Sequence, residues 1–368
     1  QQGFDSPTGC HFPMKKRTTR CAFSRSVVRG PGDKQPGGDF AGPGPKQVLR
    51  FRVPAAAWPH GMVASIQRWV GRRFRALLCG NPSGEVPWLG AVAEGEGPGL
   101  YQPDEAPWVL HADMATLVGG IRALLVQALH PGSLAGVRQH SRYKDDPLGR
   151  LAGTIRWLTV TTFAARESVL HEAGRVRGMH GKVLGTYRDA RGVEREYRAS
   201  DPHLLLWVHI AFMESFLRTH EAYSSVAIPG GADAYVRLWG RSVEPLGLDE
   251  TPQDEKEMMA VVERFGDELV VTDETREVID WIRRPPLPLP SRIVYRLLFQ
   301  AAYQTLPEAH QQRIGVPRWP RWLVVKPTRF FLRSLRWWIG TEDPLQDAAL
   351  ARLQRSGHAP QASPGPER

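Results

Sequence analysis

The segment Asp201–Arg218 reads DPHLLLWVHIAFMESFLR. Asp followed by Pro is a helix start: the carboxylate accepts from free backbone amides, and Pro at the first helical position gives up no hydrogen bond. Leu205, His209, Phe212 and Phe216 then recur at spacings of three and four, so they share one apolar stripe. The same opening appears at Asp146-Pro147, where Leu148, Leu151, Ile155 and Leu158 form an inward stripe. Upstream, the periodicity predicts a helix over Ala112–Leu129, stopped by His130-Pro131-Gly132. Ser133 is placed to cap a short helix with Leu134 and Val137 inward. A further helix is expected from Phe163 to Leu184, weakest at Gly174, followed by a loop from Gly185 to Arg198. More helices fit Ala232–Leu246, Gln253–Phe265, Asp273–Arg283, Ser291–Thr305 and Pro317–Ile339, with the Pro-rich run 285–290 as an extended connector. Alternating β-branched runs are nearly absent. The expected fold is all-α, one domain over residues 50–345.

Composition sets the outer limits. The first 45 residues hold eight Gly and six Pro without periodicity, and read as a tail that cannot bury enough surface to order itself. Lys15-Lys16-Arg17 within it is either a targeting run or part of that tail. Residues 350–368 read as a second tail. Three cysteines, none in a Cys-x-x-Cys pair, exclude a disulfide framework and a thiolate zinc site. No apolar stretch is long enough to span a bilayer and no secretory signal is evident, so the expected location is cytoplasmic. The net charge of +10 is uneven: the first 45 residues contribute +4, and Arg318–Arg336 holds six basic residues and no acid. That distribution, with no helix-turn-helix pair, argues against a nucleic-acid partner.

No phosphate loop, dinucleotide fingerprint, His-Glu-x-x-His or Gly-x-Ser-x-Gly motif occurs. What stands out is polar residues on apolar helix faces, where burial without a partner is unfavourable. Arg150 and Thr154, one turn apart, border an inward stripe. They either line a pocket, or Arg150 reaches an acid while Thr154 bonds its own helix. His180 lies near a helix end beside Met179, and is a ligand or a helix-end histidine. His209, on the Leu205–Phe216 stripe, is a ligand or a satisfied core histidine. Isolated histidines in an all-α core suit haem better than zinc or non-haem iron. Haem needs one or two protein ligands, whereas those metals want three close ones that no His/Asp/Glu spacing supplies here.

Four segments carry a resemblance: ALHPGSLAGVRQHSRYKDDPLGRLAGT (128–154), VRGMHGKVLG (176–185), YRASDPHLLLWVHIAFMESFL (197–217) and LPEAHQQRIGV (306–316). In order and spacing they resemble the MpaB-type oxygenases, which share a catalytic domain with the latex-clearing rubber oxygenases. The likeness covers about residues 105–320. It implies one all-α domain with a globin-like core holding haem b, and O2-dependent cleavage of a polyisoprene or prenyl C=C bond. Val176-Arg177-Gly178-Met179-His180 matches the segment that supplies the iron's axial histidine, making His180 the metal ligand. Arg150-Leu151-Ala152-Gly153-Thr154 matches a distal Arg-x-x-Lys-Thr segment, with Gly153 where that family's rubber branch has Lys. The distal side is then open, or filled by water or another histidine. His209 is a second pocket residue or, in an alternative alignment, the ligand.

The sequence is therefore read as a haem b oxygenase using O2 on a hydrophobic, prenyl-type substrate, with Arg150 and Thr154 steering O2 at the iron. The competing reading is a non-catalytic haem-binding protein of the same fold. The helix over 318–339 is either a surface helix whose aromatics complete the core while its arginine stems reach water, or a peripheral face for anionic membrane.

Overall fold

The computed structural model describes residues 60–141, 144–287, 289–340 and 343–358, so the 1–45 tail and the last ten residues lie outside it. The described residues fall within one unit, Ala57–Arg368, and are all-α apart from one small hairpin. The helices are α1 (His60–Cys79), α2 (Leu89–Ala93), α3 (Ala106–His111), α4 (Thr116–Gln127), α5 (Pro131–His140), α6 (Pro147–Phe163), α7 (Arg166–His180), α8 (Pro202–Tyr223), α9 (Gly231–Gly240), α10 (Glu255–Arg264), α11 (Asp273–Arg283), α12 (Leu289–Gln304), α13 (Glu308–Ile314), α14 (Arg321–Ile339) and α15 (Pro344–Arg355).

The centre is the contact between α4 and α8. Val118 and Leu125 of α4 are fully buried with Trp207, Ile210, Met213 and Leu217 of α8. Gly119 makes the approach possible, since a Cβ there would lie 2.5 Å from Phe216 Cδ1. Arg122 crosses this interface with no exposed surface and all five N–H groups used. Its Nη1 and Nη2 engage both oxygens of Glu214, Nη1 also reaches Ser215 Oγ (2.8 Å), and Nε and Nη2 reach Thr305 O beyond α12. A second cluster joins Trp88, Val92, Trp108, Val160, Phe163 and Leu353.

The structure departs from the expected elements at named points. His130, not Ser133, caps α5: its Nδ1 accepts from Gly132 N and Ser133 N. The helix expected from Phe163 to Leu184 begins at Arg166, because Ala164 and Ala165 are extended. Alanine favours helix, so a tertiary contact imposes the break: a Cβ at Gly99 would lie 2.2 Å from Ala164 O, and Arg166 N donates to Pro98 O. The expected loop 185–198 is a β-hairpin, β1 (Leu184–Arg188) with β2 (Glu194–Arg198), in antiparallel register Leu184↔Arg198. Asp189 organises its turn by accepting from Arg191 N and Val193 N. Only Tyr197 is buried in it, so it carries no apolar alternation.

The expected boundary at 345 and tail from 350 cut through α15, which is ordered by burial. Ala349 and Leu353 fill the second cluster and Arg352 Nη1 donates to Val92 O. Leu148 and Leu151, expected inward, are each 36% exposed.

Candidate functional site

The α6–α7 helix hairpin carries three of the four expected site residues. Asp146 starts α6 by accepting from Gly149 N (2.9 Å), which puts Arg150 in the first turns. Glu172 of α7, almost fully buried, fixes the register: it accepts from Arg156 Nε (2.9 Å) and from Arg175 Nε (3.0 Å). Burial alone would raise the Glu172 pKa, but the Arg175 and Arg156 hydrogen bonds outweigh it and hold the carboxyl below its ordinary value. Arg156 opposite Glu172 places Arg150 and His180 at the same end, away from the Ala164–Ala165 turn: six residues back along α6 and eight forward along α7 are about 9 and 12 Å of helix.

That end is short of protein partners. His180, the last residue of α7, is half-buried, and its ring makes no hydrogen bond or ion pair among the described residues; burial lowers its pKa, leaving a neutral imidazole. The Arg150 side chain is also half-buried and makes no hydrogen bond or ion pair among the described residues, and burial lowers its pKa too. Thr154 Oγ1 donates to Arg150 O (3.3 Å), so its proton is used within the helix and its lone pairs remain. Leu148, Leu151 and Met179 are exposed around them. A Cβ at Gly153 would meet nothing within 4 Å. Arg177, also in the family-like segment, is tied away to Pro245 O.

His209 is not part of this group. It sits in the main core, stacked on Trp239 (6.4 Å, 22°), with burial pushing its pKa down to about 3. Its Nε2 has no partner and is sealed from any space large enough for a water. Next to it His111, which sequence reading missed, bonds Thr162 Oγ1 (2.9 Å) and Tyr235 OH (3.1 Å) and is likewise lowered to about 3, by burial and then by His220.

The fold also assembles His130, His203 and Glu268, whose ligand atoms lie within 4.8 Å of one another. They are too far apart in the chain for a spacing motif. The hydrogen bonding does not suit a metal as it stands. His130 Nδ1 accepts two backbone amides, so its proton is on Nε2, which donates to Glu268 Oε2 (3.1 Å). His203 Nε2 approaches the same carboxylate at 3.0 and 2.9 Å. A metal would require His130 to lose either its proton or its helix cap. The group is instead a carboxylate bridging two imidazoles, tying α8 and the α5 start to the loop after α10.

The α6–α7 hairpin thus presents a half-buried imidazole and a half-buried guanidinium without protein partners among the described residues, beside exposed apolar side chains. Residues 108–341 match the family described as ER-bound oxygenase mpaB/B'/rubber oxygenase, catalytic domain, and the chain belongs to that family of oxygenases. Comparison with curated proteins and with solved structures gives no match.

Proposed function

We propose that this protein is a haem b oxygenase acting with O2 on a hydrophobic, prenyl-type substrate, with His180 as the axial iron ligand. The observation that carries the reading is the outer end of the α6–α7 hairpin: a neutral imidazole and a guanidinium, both half-buried and without side-chain partners among the described residues, on helices that also expose Leu148, Leu151 and Met179. An axial ligand needs an available nitrogen lone pair and room for a flat macrocycle beside it. His180, half-buried at a helix end with its ring unpartnered among the described residues, supports the first condition and leaves one side of the ring toward solvent; His209, sealed in the core, meets neither and is assigned to packing. Bound at this end, haem supplies the iron at which O2 oxidises the substrate.

The protein groups do the rest. Arg150, with up to five N–H donors and a fixed positive charge, would hydrogen-bond and stabilise negative charge developing at a group bound beside it. Thr154 accepts hydrogen bonds but has no free proton to give. The leucines exclude water and accept an apolar chain.

The test is spectroscopic. Purified protein is expected to show a Soret band. His180→Ala is expected to fold with little haem, His209→Ala to retain haem, and Arg150→Ala to retain haem but lose turnover. The reverse pattern in the two histidine variants refutes the ligand assignment. A Soret band without O2-dependent product from any prenyl substrate favours the non-catalytic haem-binding alternative.

A further inference from the structure

Three helices that pack together, α14 against both α1 and α12, contain eleven Lys or Arg and no Asp or Glu. None of the eleven takes part in an ion pair among the described residues. Of the α14 aromatics Phe331 packs against the core, whereas most of the others face out. Trp322 is 69% exposed and Phe330 74%, and Trp337 is exposed with them. At 100° per residue these three share one face with Lys326, Arg329 and Arg333, while Val324, Thr328, Leu332 and Ile339 are buried on the opposite face. On α1 the exposed stripe is Met62, Ile66 and Trp69, with the Arg73 guanidinium 5.6 Å from the Trp69 ring centre. Ile293 of α12 is 65% exposed.

Large exposed apolar side chains interleaved with unpaired cations are unfavourable in water alone and mark a binding surface. We propose that the α1–α14–α12 face binds an anionic lipid bilayer peripherally, with the tryptophans and phenylalanine at headgroup depth and the arginines against phosphate. Among the described residues no helix is long and apolar enough to cross a membrane, so the contact is lateral. Charge is the observation that selects lipid: three neighbouring helices without one acid suit a dense field of phosphates. The aromatic share selects bilayer over nucleic acid, since Trp322 and Phe330 gain by leaving water. A recess of about 330 Å³ beside Trp319, lined by Arg283, Arg284 and Arg296, extends the same chemistry. The C-terminal end of α1 also packs on the start of α6: a Cβ at Gly80 would lie 3.8 Å from Leu148 O and 4.0 Å from Ala152 Cβ. The membrane face thus adjoins the helix that carries Arg150. The proposal rests on this surface and not on the haem reading.

Vesicle co-sedimentation of the full chain, with and without bound haem, tests it. Binding is expected to phosphatidylcholine vesicles containing phosphatidylglycerol, not to phosphatidylcholine alone, and to fall at high salt. At about 1 kcal/mol per basic residue near the surface, the triple change Arg329→Gln, Arg333→Gln, Arg336→Gln is expected to weaken partitioning by roughly a hundredfold. Trp322→Ser with Phe330→Ser keeps the charge and is expected to weaken it at least about tenfold. Circular dichroism of both variants confirms that they are folded, as expected for exposed positions. Equal recovery in the supernatant with and without anionic vesicles overturns the proposal. So does salt-sensitive binding to duplex DNA that the aromatic changes leave intact, or self-association that buries the tryptophans without vesicle binding.

Discussion

Replacing Glu214 by Leu is the most demanding test of how the core is held. The carboxylate is 4% exposed and meets a guanidinium with no exposed surface. Removing it deletes two charge-assisted hydrogen bonds and leaves Arg122 with Ser215 Oγ and Thr305 O as acceptors. An arginine cannot shed its proton to relieve this, so the uncompensated cation stays buried. Breaking one partner of such a pair costs about 3–5 kcal/mol, a large part of a typical domain's stability. The companion experiment is Arg122→Met with Glu214→Leu. It removes both charges, leaves Ser215 Oγ and Thr305 O short of a donor at about 1 kcal/mol each, and takes from Arg218 one of its three carboxylate neighbours while Glu221 and Glu255 remain. The double variant is therefore expected to be more stable than Glu214→Leu alone by 2 kcal/mol or more, on the order of the buried-pair values. Urea denaturation followed by circular dichroism measures both. A Glu214→Leu protein within about 1 kcal/mol of the parent refutes the reasoning, because the pair would then be no better than a solvated one.

Gly153→Lys has room and places an amine one helical turn from Arg150; in the haem-loaded protein it is expected to shift the ferric absorption spectrum, and an unchanged spectrum places the iron elsewhere. His111 and His209 are buried with pKa values near 3, below the ~6.5 of an unfolded imidazole. The unfolded chain therefore binds protons there that the folded chain does not: their stability contribution is whole above pH ~6.5 and is lost as pH falls, about 4 kcal/mol for the pair by pH 5. A melting temperature equal at pH 7 and pH 5 contradicts this. Truncation before Pro344 exposes the sites of Leu353 and Ala349 and removes the Arg352–Val92 bond, and is expected to lower stability by at least about 3 kcal/mol in the same urea assay.

What the sequence made legible was local. Asp146-Pro147 and Asp201-Pro202 begin helices as read, because a cap and a Pro act within one turn. The break at Ala164–Ala165 was hidden, since its cause is Gly99, far away in the chain. His130 looked like a stop signal and proved to be the cap itself, using a ring nitrogen in place of the Ser133 hydroxyl. α15 was mistaken for a tail because its burial depends on Val92 and Trp88. Arg150 and His180 were found as individual residues, and only the Arg156–Glu172 register shows that they share an end. The orientation of α14 was left between two readings, since its aromatic spacing fits either face.

The α6–α7 hairpin is held by deep apolar burial at one end and by lighter contacts, α6 on Gly80 and Arg177 on Pro245 O, at the other. At its turn, Phe163 and Ala164 lie in the second cluster, Ala165 is fully buried, and Arg166 N donates to Pro98 O. At the other end the same two helices carry exposed Leu148, Leu151 and Met179. Mechanically this is a lever clamped at its root and lightly rested at its tip, with the Glu172 bridge as a strut partway along. Amide exchange should therefore run slow from Val160 to Val169 and quicken toward Leu151 and Met179. Any group that bridges the tip would slow those outer amides while leaving the root unchanged.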